Sequence, residues 1–252
     1  KILCGIGENK TVDKIEINWL DGTASEILNP PINTYHTYSK AELGSQPIKP
    51  KDASFSFRNI TANVPDFKFK HEENIFNDFE KEILLPHKYS TLGPALSISD
   101  FNGDGKGDLF LGSSLGGESR VLIQNGNRFD EVQLNDSSKY EDIGSLVFDA
   151  DKDGDLDLFV STGGGGDVGE NVSLLRDRLY LNNGSGQFKL KQNAIPNAIA
   201  SSNEASVAID FDRDGDLDLW TFGRNKPGKY PQREQSYLLE NTAANFKDVS
   251  DS

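Results

Sequence analysis

Apolar positions along this chain come in short runs that alternate with polar ones or stop abruptly at Gly, Asn and Asp; they seldom recur at i, i+3 and i+4. Alternation with a period of two marks a half-buried strand, whereas a helix needs a period near 3.6. The pattern therefore predicts an all-β chain. Its clearest local instance is KIEINWLDGTASEIL, where Ile15, Ile17 and Trp19 alternate with Lys14, Glu16 and Asn18 ahead of a turn at Asp21-Gly22. An Asp-Gly pair between alternating segments is a strong hairpin signal. Pro30, Pro31 and the polar stretch SKAELGSQPIKPKDAS then interrupt the pattern. The sequence is divided there into a small β-hairpin unit, residues 1–45, and a larger region, residues 46–252.

Within the larger region one pattern returns three times. DFNGDGKGD from Asp100, DADKDGDLD from Asp149 and DFDRDGDLD from Asp210 each run into an apolar segment: DLFLG, DLFVS and DLWTF. Each is followed by a second recurring element, RVLIQNGNRF, RLYLNNGSGQF and SYLLENTAANF in turn. A repeating unit of about 50 residues built from several short strands has the size of a propeller blade. Three such units do not close a ring, because propellers need about four to eight blades. The expectation is a partial β-propeller of at least three blades, with the remaining blades supplied by a longer chain. The absence of methionine fits that expectation of a processed or excised piece. An open stack would expose the apolar faces of its end blades, which invites association.

The charge in the repeats raises a physical problem, since closely spaced carboxylates repel one another. A cation resolves it. Side-chain oxygens at positions 1, 3, 5 and 9, with a backbone carbonyl at position 7, converge on one hard ion, and Gly at position 6 permits the sharp turn. The first loop offers Asp100, Asn102, Asp104, the carbonyl of Lys106, and Asp108. The second offers Asp149, Asp151, Asp153, the carbonyl of Asp155, and Asp157; the third offers Asp210, Asp212, Asp214, the carbonyl of Asp216, and Asp218. Calcium suits such a set better than magnesium, because it accepts six to eight oxygens in flexible geometry. About three Ca2+ ions are expected. Zinc is disfavoured by the lack of Cys and His in the loops. An EF-hand would carry a bidentate Glu at position 12, where this chain has Leu111, Val160 and Thr221.

Composition narrows the functional classes further. The net charge of -14 repels nucleic acid and anionic membranes, and no run reaches the roughly 20 apolar residues of a membrane span. Cys4, the one cysteine, excludes an internal disulfide and reads as a small hydrophobe. His36, His71 and His87 occur in unrelated contexts, and no paired-His metal motif or nucleophile elbow is present. HEENIFNDFEKE is rich in carboxylates, as an acidic chain would be. TGGGGDVGEN lacks the GK[ST] of a phosphate-binding loop and reads as a flexible loop at a blade rim. Phe110, Phe159, Tyr180, Trp220 and Tyr237 lie in strand patterns and are expected in the core. KPGKYPQREQSY is locally basic and aromatic, a candidate for binding an acidic glycan or protein.

The three acidic loops resemble FG-GAP/VCBS propeller repeats, the type also found in integrin α-subunit propellers. LLPHKYSTLGPALSISDFNGDGKGDLFLG, DRLYLNNGSGQF and GRNKPGKYPQREQSYLLENTAANFKDVS extend the likeness. CGIGENKTVDKIEINWLDGTASEILNPP resembles the end of an ASPIC/UnbV domain, with Cys4 where that family commonly has an aromatic. This order of parts is similar to large secreted or surface proteins of Bacteroidota-type bacteria and, more distantly, to cartilage acidic protein. The resemblance implies an extracellular or outer-surface location, on a Gram-negative bacterium, with an upstream lipid anchor among the arrangements such proteins use. It implies a non-enzymatic, calcium-binding interaction scaffold holding a protein or glycan at the blade rims. Two alternatives stay open: a polysaccharide lyase or hydrolase on a propeller face, and an accessory subunit of an outer-membrane uptake or secretion assembly.

Overall fold

A computed structural model describes residues 7, 9–47, 59, 61–64, 69–135, 137–165, 167–169 and 171–251. Cys4 lies outside them. The chain separates into two compact units, Lys1–Asn59 and Ile60–Ser252, and the expected all-β character holds in both.

The first unit contains the anticipated hairpin. Strand β1 (Lys14–Asn18) pairs antiparallel with β2 (Thr23–Leu28), matching Ile15 to Ile27 and Ile17 to Ser25. At the turn Gly22 takes a φ of 79°, and Asp21 accepts bonds from the backbone N–H and the hydroxyl of Thr23 at 3.2 and 2.7 Å. Trp19 donates its indole N–H to Ser25 Oγ at 2.8 Å. The unit continues past residue 45: after a single helical turn, α1 (Lys40–Leu43), strand β3 (Gln46–Pro47) pairs with β2 at Ala24 and Thr23. A boundary near residue 45 would cut this third strand from its sheet. Composition alone pointed there because the pairing partner is more than twenty residues away.

The second unit holds three sheets of four strands, each a simple antiparallel meander. The first comprises β4 (Leu96–Ser99), β5 (Asp108–Leu111), β6 (Arg120–Asn125) and β7 (Arg128–Gln133). The second comprises β8 (Glu141–Phe148), β9 (Asp157–Gly163), β10 (Arg178–Asn182) and β11 (Phe188–Leu190). The third comprises β12 (Asn203–Ile209), β13 (Asp218–Gly223), β14 (Tyr237–Asn241) and β15 (Phe246–Asp248). The opening strands β4, β8 and β12 stand next to one another. Serine pairs join successive sheets, Ser97 with Ser145 at 2.6 Å and Ser161 with Ser206 at 2.9 Å. The sheets do not close into a barrel.

Period-two alternation sends successive residues to opposite faces, so the middle sheet contributes to two cores, one shared with each neighbour. Phe110 and Val121 of the first sheet meet Leu158, Val160 and Tyr180 of the second. Phe148, Phe159 and Leu179, from the opposite face of the second sheet, meet Leu219, Leu239 and Phe246 of the third. Burying each such side chain stabilises the fold by about 1.5–3 kcal/mol. The middle sheet is covered on both faces, and all seven residues of β9 are buried. On the third sheet the outward positions Val207, Ile209 and Trp220 stay exposed, as do Leu96 and Ile98 on the first. The core position expected for Trp220 is therefore not realised; its strand is right but its face has no fourth sheet against it among the described residues.

Candidate metal centres

Each acidic loop joins the first and second strands of its sheet, and the three share one backbone course. Positions 4 and 6 both take positive φ: Gly103 and Gly105 at 72° and 81°, Lys152 and Gly154 at 63° and 95°, Arg213 and Gly215 at 66° and 90°. The position-6 glycines follow from the turn requirement. Lys152 and Arg213 hold a conformation uncommon for residues with a Cβ, which only the shared loop course explains.

Short bonds curl the loops inward. Asp149 Oδ2 accepts from Gly154 N at 3.0 Å, Asp151 Oδ1 from Asp153 N at 3.3 Å, and Asp153 Oδ1 from Asp155 N at 2.9 Å. In the third loop Asp212 accepts from Asp214 N at 3.1 Å and Asp214 from Asp216 N at 3.0 Å. Two groups of carboxylates converge as a result, each residue offering an oxygen within 4.8 Å of the others: Asp149, Asp151 and Asp153, and Asp210, Asp212 and Asp218. Asp149 Oδ1 and Asp210 Oδ1, the position-1 oxygens, are buried without a hydrogen-bond partner. Burial raises the pKa of Asp151, reinforced by its acidic neighbours Asp153 and Asp149. Carboxylates crowded together, partly desolvated and left with orphaned oxygens fit a hard cation that would ligate and neutralise them.

The first loop differs. Asp100 already accepts from Asp104 N at 3.1 Å and Gly105 N at 2.8 Å, and Asn102 accepts from Asp104 N at 3.1 Å. Lys106 Nζ sits 2.8 Å from Asp104 Oδ2 and is the first cause lowering that carboxyl's pKa. A lysine here competes with an ion for the position-5 ligand.

The position-9 aspartates have a role that spacing did not assign. Asp108 accepts from Phe101 N at 2.8 Å and Gln124 N at 2.7 Å. Asp157 accepts from Ala150 N at 2.9 Å and Asn182 N at 2.8 Å, and Asp218 from Phe211 N at 3.1 Å and Asn241 N at 2.8 Å. Each buried carboxylate pins the start of its loop to the third strand of its sheet. Burial holds Asp157 up at about 6. The position-7 side chains also act locally: Asp155 packs against Gly184, and Asp216 lies 3.6 Å from Lys152 of the preceding loop.

A second repeating clip joins successive sheets at the loops. Asn182 Nδ2 donates to the carbonyls of Phe101, in the first loop, and Leu156, in the second, at 2.8 and 3.1 Å. Asn241 Nδ2 donates likewise to Ala150 and Leu217 at 2.8 and 3.0 Å. Both asparagines belong to the recurring second elements LYLNN and LLENT, whose function the sequence did not disclose.

The opposite ends of the sheets carry no acidic loop but a buried polar network. Segment 71–92 crosses there: Ser114 Oγ donates to Glu72 O at 2.5 Å, Asn74 to Asp167 Oδ2 at 2.9 Å, and Ser90 Oγ to Asp78 Oδ2 at 2.6 Å. The glycine run, expected to be a flexible rim loop, is instead packed beneath it. Gly163, Gly164 and Gly165 are buried, and a methyl at Gly165 would collide with the Asp78 carboxylate and come within 3.0 Å of Ser90 N. Arg178 pairs with Asp142 and lies 4.2 Å over the Tyr140 ring. Glu141 accepts from Leu115 N at 2.8 Å through Oε2, and burial pushes its pKa up to about 8. Burial likewise raises Asp177 to about 7. The histidines do not converge: His36 bonds Pro31 O at 2.8 Å, His71 bonds Glu73 at 2.7 Å, and His87 packs edge-on to Tyr89 at 4.9 Å.

Two overlapping stretches, residues 100–160 and 149–221, match the family of the FG-GAP-like repeat. They span the first two acidic loops and the third. Residues 100–221 are thus similar to FG-GAP-like repeats, and each acidic loop in them is set in a four-stranded antiparallel meander of the size of a propeller blade. Such repeats are typical of extracellular or surface proteins, and no helix among the described residues is long and apolar enough to cross a membrane. No curated protein matches the chain.

Proposed function

We propose that the chain is a non-enzymatic, calcium-binding segment of a secreted or cell-surface protein, acting as an interaction scaffold for a protein or glycan. The observation that carries this reading is the pair of convergent carboxylate groups with orphaned position-1 oxygens, which share loop positions 1 and 3 at the same corner of two sheets. An ion at each corner ties together the loop that joins first and second strands, and the Asp and Asn clips pass that constraint to the third strand and the preceding sheet. Calcium then stiffens the framework while loops at the far rim are free to hold a ligand. Further blades of a longer chain would cover the exposed face around Trp220. The leading unit is read as the end of an ASPIC/UnbV domain, and the location as the outer surface of a Gram-negative bacterium, where calcium is available to fill such loops.

Calcium titration by calorimetry tests the metal assignment. The second and third loops should take one ion each, and the first should bind most weakly because Lys106 occupies Asp104. Asp151→Asn and Asp212→Asn should each weaken one site by about tenfold or more, given the loss of a charged ligand. Unchanged calcium uptake in both variants would overturn the assignment.

A further inference from the structure

The segment joining β13 to β14, residues 224–236, lies at the end of the third sheet opposite its acidic loop. It carries Arg224, Lys226, Lys229 and Arg233 in a chain of net charge -14. None of these four takes part in an ion pair among the described residues. Carboxylates are close by but otherwise engaged or out of reach. Glu82 accepts from the backbone N–H groups of Gly228 and Tyr230 at 3.2 and 2.7 Å. Glu204 and Glu234 influence the cations only through their fields.

Arg224 is the centre of this arrangement. Its guanidinium lies 4.4 Å over the Tyr89 ring, and its Nε and Nη2 are shielded from solvent with no hydrogen-bond acceptor. Burial lowers its pKa. A partly desolvated guanidinium with two unpaired nitrogens is energetically costly, and an anion held beside it would offset part of that cost through its charge. Tyr230 packs edge-on to Tyr89 at 6.4 Å between centroids and keeps 36% of its surface exposed.

The loop is also held in shape. Lys226 N donates to Gln232 O and Gln232 N to Lys229 O, both at 2.9 Å, Lys229 N donates to Lys226 O at 3.1 Å, and Asn225 bridges to Arg233. Together with the Glu82 clamp, these bonds reduce the ordering cost of binding.

We propose that this loop binds an anionic glycan, a sugar chain bearing carboxylates or sulfates. Arg224, Lys226, Lys229 and Arg233 take the anionic groups, the planar fork of the arginines matching an oxyanion. The exposed Tyr230 ring receives the apolar face of a pyranose. A glycan places an anion and an apolar ring face on one rigid unit, as cations and an aromatic are placed here; an acidic peptide would use the cations and leave the ring idle. This inference rests on the reading of the chain as an interaction module and names its ligand class.

The test titrates the calcium-loaded chain with a heparin-derived octasaccharide, a galacturonate octasaccharide, neutral maltooctaose and poly-glutamate. At least one of the two charged sugars should bind, weakening as salt rises, and the neutral sugar and poly-glutamate should bind at least about tenfold more weakly. The heparin and galacturonate arms separate sulfate from carboxylate recognition. Lys229→Glu, at an exposed position, and Arg224→Gln should each reduce binding about tenfold or more. An unfolding midpoint checks that Arg224→Gln folds. Binding of neither charged sugar, full binding by Lys229→Glu, or equal binding of poly-glutamate would overturn the proposal, the last by making this a protein-docking surface. Calcium uptake measured on the same samples keeps the two readings apart: a chain that takes up calcium and binds neither sugar loses this site alone.

Discussion

Aspartate performs two different tasks within a few residues of each acidic loop. At position 1 of the second and third loops it leaves an oxygen without a partner, while at position 9 both oxygens accept backbone N–H groups. Spacing assigned both to the ion and could not show that position 9 also holds the backbone of Asn182 or Asn241, on strands more than twenty residues further on; in the third loop Asp218 does both, since it also lies in the convergent carboxylate group. The positive φ of Lys152 and Arg213 was equally hidden, since neither residue advertises a left-handed backbone. Glu141 is a third case, a carboxyl in an unremarked strand whose burial holds its pKa at about 8. A carboxyl with a folded-state pKa raised above its unfolded value contributes stability below the unfolded value, and that contribution is lost as pH rises through the folded one. Glu141→Gln mimics the protonated form. The melting temperature of the parent should therefore fall relative to Glu141→Gln between about pH 4.5 and pH 8 and run parallel to it above that range. Parallel curves throughout would show that Glu141 ionises freely in the folded state.

Strands, loops and their order were legible because period-two alternation and turn residues are local signals. DLFLG, DLFVS and DLWTF all became second strands, and the hairpin formed with its turn at Asp21-Gly22 as expected. What joins one sheet to the next was not legible, because it depends on side chains meeting carbonyls of the previous repeat. Asn182 and Asn241 make that junction, whereas Gln124, the corresponding residue of the first sheet, is only partly buried and its backbone alone reaches Asp108. Asn241→Ala removes a donor from two carbonyls and should destabilise the unit by about 1–3 kcal/mol. Gln124→Ala should stay within about 0.5 kcal/mol of the parent. Urea unfolding of the two variants measures both, and equal effects would contradict the clip. The glycine run shows the same limit in another form, for its composition suggested freedom while its position under segment 71–92 demands the absence of a side chain.

Across the whole molecule the repeats were evident from the sequence, and the structure adds how they divide the work. One end of the three sheets gathers the acidic loops and the Asp and Asn clips; the other gathers buried polar groups and the basic loop around Arg224. The leading unit forms its own three-stranded sheet, which runs beyond residue 45 because β3 pairs back to β2. Cations that complete the acidic corners would hold the three-sheet unit together. Thermal unfolding of the purified chain in chelator, and then with added calcium or magnesium, tests this most directly when accompanied by a metal count. At least two ions per chain are expected, with a calcium-selective rise in melting temperature that grows with free calcium, as binding to the folded state alone requires. No bound metal and a melting temperature indifferent to calcium would contradict it.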